Sequence, residues 1–367
     1  MKKIALVVLD LDRFLVAKTF KGGGGHVAKR LLQEWILDDR VELDVICVNA
    51  TIESYDGINK IITIPYCPNS DYENFIGELK KHAASEKYDD VVFAEHLLPF
   101  GTSLLHSHSY LYRYGLYNCE LLSQFFKIIK RKKIDAQKKL FSTETKSLIA
   151  MSEKIKKDYS SNFCIDETII KVAFPGVEIF ENVTRERKSD FVFGLVGGGI
   201  NKGAALFLKA FKKVFKHDKN IKALVITTNE KNLKLLKLQV RFSGLSNNVE
   251  FVDYQSNIGD FYKQIDCLVM PSRHEAFGLV AIEAASYKAV PIVSNNTGFA
   301  ELVADGQNGF IFDINKNGLN NLAKSMSEVI NIYQNDYDRF EQIRDNAFGI
   351  AKEYTWKRFA DTILESL

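Results

Sequence analysis

The sequence predicts an α/β protein made of two doubly wound parallel sheets in tandem, and three observations carry that prediction. The chain has 367 residues, long for one core and ample for two domains of ordinary size. Short continuous apolar runs alternate with helical patterns, as expected of strands buried on both faces of a parallel sheet. The alternation stops at a polar stretch without periodicity, ENVTRERKSD (181–190), and then begins again. The expected domains are therefore 1–182 and 183–351, with the last helical stretch, 352–367, packing back on the first.

Composition narrows the class. Hydrophobic residues make up 46% of the chain and charged residues 26%, the balance of a soluble globular protein, and the formal net charge is +3. So small an excess implies no nucleic-acid partner. The five cysteines (Cys47, Cys67, Cys119, Cys164, Cys267) are odd in number, scattered and without a C-x-x-C pair. They indicate neither a disulfide framework nor a zinc site, and a reducing cytosol is the expected location. The N-terminal MKKIALVVLD begins like a signal peptide, but Asp10 and Asp12 interrupt the apolar run and no small-residue cleavage site follows. It reads as a first strand. No apolar run reaches the length of a bilayer span.

In the first half, Ile4 to Leu9 is the opening strand, followed by an irregular loop, the glycines Gly22 to Gly25, and the helical HVAKRLLQEWIL. Glycines at a helix start let the backbone approach a ligand closely. Two motifs here mislead. Gly23, Gly25 and Ala28 fit G-x-G-x-x-A, but twelve residues separate Leu9 from Gly22, and the second strand, LDVICVN, ends on Asn49 where a dinucleotide site needs an acid. Asp10-Leu11-Asp12 resembles the opening of haloacid-dehalogenase phosphatases or a metal-binding D-x-D, but Arg13 and Phe14 stand where glycine and threonine belong. Further strands are expected at Ile61–Ile64 and Asp90–Ala94, and SLLHSHSYLYRYG places His106 and His108 near a strand end. The run FFKIIKRKKIDAQKKLF (125–141) is a basic amphipathic helix pattern. Its ordinary meaning is a solvated charged face; its sharper one is adsorption to an anionic membrane surface.

The second half repeats the grammar. Phe191–Val196 is a buried strand, GGGINKG (197–203) leads into the helix AALFLKAFKKVF, and strands follow at Leu224–Thr227 and Val249–Val252. The stretch MPSRHEAFGLVAIEAA (270–285) is the most informative of all. It follows the strand Asp266–Met270, turns at Pro271 and Ser272, and becomes helical after Gly278. A strand's carboxyl end thus enters a helix N-terminus, where the N–H groups of Phe277, Gly278 and Leu279 can face an anion, phosphate above all. Carboxylates beside a phosphate are repelled by it unless they bind neutral paired donors, and sugar hydroxyls are such donors. That puts Glu283 on a ribose diol and Glu275 on a second sugar. The plain alternative is a turn cap at Glu275 and a solvated face at Glu283. Against it, Glu283 sits among Ala281, Ile282, Ala284 and Ala285, so its helix is apolar on nearly every side and the carboxylate needs a partner. AVPIVSNNTGFAE and NGFIFD supply the last strands, with Glu301 as a further helix-start acid.

E-A-F-G-L-V-A-I-E resembles the E-x7-E signature of glycosyltransferase family 4, retaining nucleotide-sugar transferases of the GT-B fold. Other stretches agree, and AVPIVSNNTGFAE resembles the strand and loop that close the donor site. GGHVAKRLL resembles the double-glycine helix start that faces the donor diphosphate; SLIAMSEKI and FPGVE resemble the I-A-x-S-E step and the P-x-G-V-D linker, with Glu178 for aspartate. GGGINKG resembles G-R-x-x-x-K-G: Lys202 is in place, while Gly198 or Gly199 stands where the arginine belongs. The resemblance covers nearly the whole chain, most strongly from Phe191 to Asp313 and least before Ile149.

It implies two Rossmann-like domains facing a cleft. It also implies transfer of a hexose-type sugar from a nucleoside-diphosphate sugar, a UDP-sugar by expectation, to a glycan, lipid-linked or protein acceptor in bacterial cell-surface glycan synthesis. Configuration is retained, and neither a metal nor another cofactor is required. The implied catalytic residues are His108 on the transferred sugar, with His106 and His96 as alternates, Lys202 on the leaving diphosphate, and Glu275. Donor binding falls to Gly23, Gly24, Gly25, Gly198, Lys202, Arg273, Glu275, Ala276, Phe277, Gly278, Leu279 and Glu283, with Tyr254 near the base. The expected place is the cytoplasm, with the inner face of the plasma membrane within reach of 125–141. Two other classes stand beside this one. A non-catalytic partner subunit accounts for the missing arginine, and an NAD-type or epimerase enzyme is disfavoured by Asn49 and the displaced glycines.

Overall fold

Ile4, Ala5, Leu6 and Val8 have almost no exposed surface, as befits β1 (Lys2–Asp10), an interior strand of the first of two sheets in the computed structural model. The structure describes residues 1–16, 23–64, 72–94, 100–105, 144–163, 165–180, 183–227, 230–252 and 258–367. These fall into two units, Met1–Pro175 with Trp356–Leu367, and Gly176–Thr355.

In the first unit, β1 is followed by α1 (Leu11–Val16), α2 (Gly23–Ile36), β2 (Val41–Asn49), β3 (Lys60–Thr63), α3 (Tyr72–Glu86), β4 (Asp90–Phe93), β5 (Phe100–Leu105), β6 (Glu144–Ala150), α4 (Glu153–Phe163) and β7 (Ile170–Val172). The strands are parallel in the order β3-β2-β1-β4-β5-β6-β7. Helix α2 buries Val27, Ala28, Leu31, Leu32 and Trp35, the three-and-four spacing of one helical face. The step from β6 into α4 is capped by Ser152, whose Oγ accepts the Ile155 N–H at 3.2 Å. The second aspartate of the pair that resembles a phosphatase opening has a local structural use. The Asp12 carboxylate accepts the Thr51 and Ile52 N–H groups at 2.7 and 3.2 Å, and the bonds from Thr51 hold its pKa below the ordinary value. The basic stretch 125–141 lies outside the described residues.

The second unit has β8 (Phe191–Val196), α5 (Ala204–Phe215), β9 (Ile221–Ile226), α6 (Glu230–Phe242), β10 (Val249–Val252), α7 (Gly259–Gln264), β11 (Cys267–Met270), α8 (Leu279–Ser286), β12 (Val290–Ser294), β13 (Phe310–Phe312), α9 (Gly318–Asn335) and α10 (Tyr337–Glu353). Its strands are again parallel, ordered β10-β9-β8-β11-β12-β13. Phe191, Phe193, Phe207, Phe211, Phe310 and Phe340 anchor one buried core, each ring contributing on the order of 2 kcal/mol by leaving water. At the start of β11 the core admits charge. Asp266 is 1% exposed; one of its oxygens accepts the Val192 N–H at 3.0 Å and the other lies 3.2 Å from the Arg344 guanidinium, itself fully buried. Burial raises the pKa of Asp266 even against these bonds. A last helix, α11 (Trp356–Ser366), belongs to the first unit and packs on α2, its Trp356 ring 5.4 Å from that of His26.

Candidate functional site

In a doubly wound sheet the ligand crevice opens at the carboxyl ends of the strands, where the strand order reverses. In the second unit that reversal lies between β8 and β11, since β9 and β10 extend one way from β8 and β11 to β13 the other. The segments these two strands feed, 197–203 and 271–278, hold most of the residues assigned to the donor.

The two segments are tied together. The Arg273 N–H donates to the Asn201 carbonyl at 2.8 Å, and Gly203 lies against the Pro271 carbonyl so closely that a Cβ would overlap its oxygen. Gly203 also has φ of +74°, which only glycine adopts without strain. Across this junction the Lys202 ammonium pairs with the Glu275 carboxylate, with the lysine side chain 42% and the glutamate 21% exposed. The glutamate's own backbone is fixed by the loop after β12: its N–H donates to Asn296 O and its carbonyl accepts from Gly298, each at 3.2 Å, while Phe277 O accepts from Phe299 at 2.7 Å. Arg273 is exposed, and Ala276 sits beside Glu275 half-buried. Gly278, with φ of +110°, then turns the chain into α8; a Cβ there would stand 2.6 Å from the Met270 methyl. The Ala281 N–H of α8 donates to the Gly278 carbonyl at 2.8 Å, and the two N–H groups before it, of Leu279 and Val280, have no acceptor within the helix and present partial positive charge.

Glu283 lies on α8 between fully buried Ile282 and Ala284. The partner its apolar helix demands is present in the protein: the Tyr262 hydroxyl, on α7, donates to Oε2 at 2.6 Å. Tyr262 has no exposed surface and its ring stacks on Tyr287 at 5.7 Å, which in turn lies 4.8 Å from Phe180. Burial raises the Tyr287 pKa, and the negative charges of Glu178, Asp260 and Glu283 raise it further. Of the two glycines that stand where the motif has arginine, Gly199 has room for a side chain, since a Cβ there would meet only the Lys202 Cγ at 3.9 Å, and Gly198 does not. A Cβ at Gly198 would overlap the Oγ1 and Cβ of Thr227, which follows β9 and fills that space.

The structure thus brings together Gly198, Lys202, Arg273, Glu275, Ala276, Phe277, Gly278, Leu279 and Glu283 along one end of one sheet. Gly23, Gly24 and Gly25 open α2 in the other unit. His96, His106, His108 and Tyr254 lie outside the described residues, though β5 does end at Leu105, immediately before His106. Sequence reasoning missed Thr227 and Tyr262, while Asn296 and Gly298 fall within the run AVPIVSNNTGFAE that the resemblance assigns to the closing loop. Of the two missed, Thr227 had a signal, its place at the end of an expected strand.

Residues 178–347 match the family model described as glycosyl transferases group 1. Among curated proteins, the chain is 29% identical over 199 residues to the capsular polysaccharide biosynthesis glycosyltransferase CapM of Staphylococcus aureus, covering 50% of this chain and 52% of that one. It is 25% identical over 393 residues to the uncharacterized glycosyltransferase MJ1607 of Methanocaldococcus jannaschii, covering 98% and 96%. The chain therefore spans about half the length of CapM and nearly all of MJ1607. Among solved structures, Anabaena Alr3699/HepE in complex with UDP-glucose superposes with a TM-score of 0.69 at 18% identity, over the full length of both chains. The fold, two Rossmann-like parallel-sheet units, is that of the GT-B glycosyltransferase structures.

Proposed function

We propose that the protein is a retaining glycosyltransferase of family 4 type that moves a hexose-type sugar from a nucleoside-diphosphate sugar, a UDP-sugar first, to a glycan, lipid-linked or protein acceptor in bacterial surface-glycan synthesis. One observation carries the reading: a lysine and a glutamate from the two loops at the strand-order reversal meet beside a helix N-terminus, within the segment that matches group 1 transferases. The pair is partly exposed and contributes on the order of 1 kcal/mol or less. A diphosphate has charge enough to take the ammonium from it. Lys202 and the α8 N–H groups then stabilise the charge that grows on the leaving diphosphate. Glu275, released, accepts hydroxyls of the transferred sugar, and Glu283, oriented by Tyr262, accepts the ribose diol. Arg273 adds a second cation from the exposed side of the loop. In the transfer the anomeric carbon–phosphate oxygen bond breaks, the anomeric carbon–acceptor oxygen bond forms on the same face, and the acceptor's proton passes to the leaving phosphate. Gly23, Gly24, Gly25 and His108 keep the roles that the resemblance implies, and no metal enters the scheme.

Nucleotide release from UDP-, GDP- and ADP-sugars tests this. With the active donor, Lys202→Ala should lower kcat about a hundredfold or more, the size seen when one donor to a developing oxyanion is removed, while Glu283→Gln should chiefly raise KM for the donor. Full turnover in both folded variants overturns the assignment.

A further inference from the structure

Helix α6 turns Leu236 and Val240, 5% and 4% exposed, into the core of the second unit. Its other side is apolar as well. Leu235, Leu238 and Phe242, spaced three and four residues apart, share one face and are 66%, 48% and 83% exposed. Among the described residues seven large hydrophobic side chains are exposed, and these are three of them. That is a cluster, not the single scatter every soluble surface carries. Cations border it. Lys231, Lys234, Lys237 and Arg241 are all exposed on the same helix, against one acid, Glu230, in its first turn. The neighbouring α5, joined to α6 by a 3.1 Å hydrogen bond from Gln239 to the Ala205 carbonyl, exposes Lys209, Lys212 and Lys213 and has no acid in its span.

We propose that this face of α6 docks on an anionic lipid bilayer. The helix lies in the plane of the headgroups, Phe242, Leu238 and Leu235 enter the boundary of the acyl chains, and the lysines and Arg241 reach the lipid phosphates along their own apolar stems. Charge separates this occupant from a second copy of the chain, because a self-complementary contact brings the same cations face to face. No helix among the described residues is long and apolar enough to cross a membrane, so the contact is one of surface adsorption. It uses none of the donor-site residues and does not depend on that reading.

The test is sedimentation with phosphatidylglycerol and with phosphatidylcholine vesicles, together with the fluorescence of a Phe242→Trp variant. The native Trp35 and Trp356 are already buried, 1% and 5% exposed, so a change of emission reports position 242. The wild-type protein should pellet with the anionic vesicles only, and less as salt shortens the screening length below about 10 Å. Leu235→Ser/Leu238→Ser/Phe242→Ser should lower the bound fraction about tenfold or more with an unchanged melting curve, and the emission of the Phe242→Trp variant should move to shorter wavelength on the vesicles. Four results overturn the proposal: no binding at low salt, binding undiminished in the triple variant, binding without a shift at position 242, or wild-type self-association that the triple variant abolishes.

Discussion

Gly198 and Thr227 are where this site departs furthest from the motif it resembles. Threonine is stiff at χ1, so it cannot step aside cheaply for a side chain at 198. Gly198→Arg alone should therefore cost about 1–3 kcal/mol of stability, as overpacking does, and bring no gain in nucleotide affinity. With Thr227→Gly as well, the arginine has room and adds a further cation beside Lys202 and Arg273. The double variant should bind a nucleoside diphosphate more tightly than either single variant, a non-additivity that a calorimetric double-mutant cycle measures; strictly additive affinities would refute the steric account. The same scale shows what a sequence yields and what it withholds. That Glu283 needs a partner follows from its alanine and isoleucine neighbours. That the partner is Tyr262 does not, since that contact is made by two helices packed on one sheet. Lys202 and Glu275 were each legible from their own motifs, but their pairing was not, because it depends on adjacent placement of β8 and β11.

Among elements, the strands read most easily. Phe191–Val196 stands at the bounds that its apolar run predicts, since a strand buried on both faces leaves no ambiguity of period, and the edge strand Val249–Val252 keeps its expected bounds although Glu250 is exposed. The polar run 181–190 shows the opposite. It lacks periodicity, yet its Arg185 is an organised clamp: the guanidinium donates to the carbonyls of Lys263 and Ile265 at 2.8 Å, of Tyr262 at 2.7 Å, and of Tyr287. Periodicity cannot reveal a side chain that caps the ends of α7 and α8 from a distance. The junction of the loops after β8 and β11 is likewise tertiary, and Gly203 sets how close they come. Gly203→Ala adds a left-handed backbone strain of about 1–3 kcal/mol and pushes on a backbone carbonyl that has little freedom to move. Urea unfolding should show a loss of about 2 kcal/mol or more, with donor turnover falling further than stability because Lys202, the residue before it, is shifted from the place proposed for the diphosphate. Wild-type turnover in the alanine variant would mean that the loops do not need this approach.

At the scale of the whole molecule, the chain leaves the first unit after Pro175 and returns to it at Trp356. The two crossings lie side by side: Val177 bridges Thr355 and its N–H donates to the Tyr354 carbonyl at 3.0 Å. The returning helix α11 closes the first unit through Trp356 against α2, Lys2 Nζ on the Leu364 carbonyl at 2.9 Å, and Arg40 on Asp361. Arg40 is held in turn by Asp38, through Nε at 2.8 Å and Nη2 at 2.5 Å, and that side-chain bond lowers the Asp38 pKa from 3.8 to about 2 against the effect of burial. The sign follows from linkage. A carboxylate with a depressed folded pKa gives stability that is full above 3.8 and is lost as pH falls through about 2. Asp38→Asn removes that contribution at every pH. Thermal melts of the two proteins, stepped through pH 5 to 2, should therefore differ most at the upper end and converge between 3.8 and about 2. A gap of constant width down to the lowest pH would mean that Asp38 acts through its shape and neutral hydrogen bonds, and that the charge of Arg40 has no part in holding the chain's return.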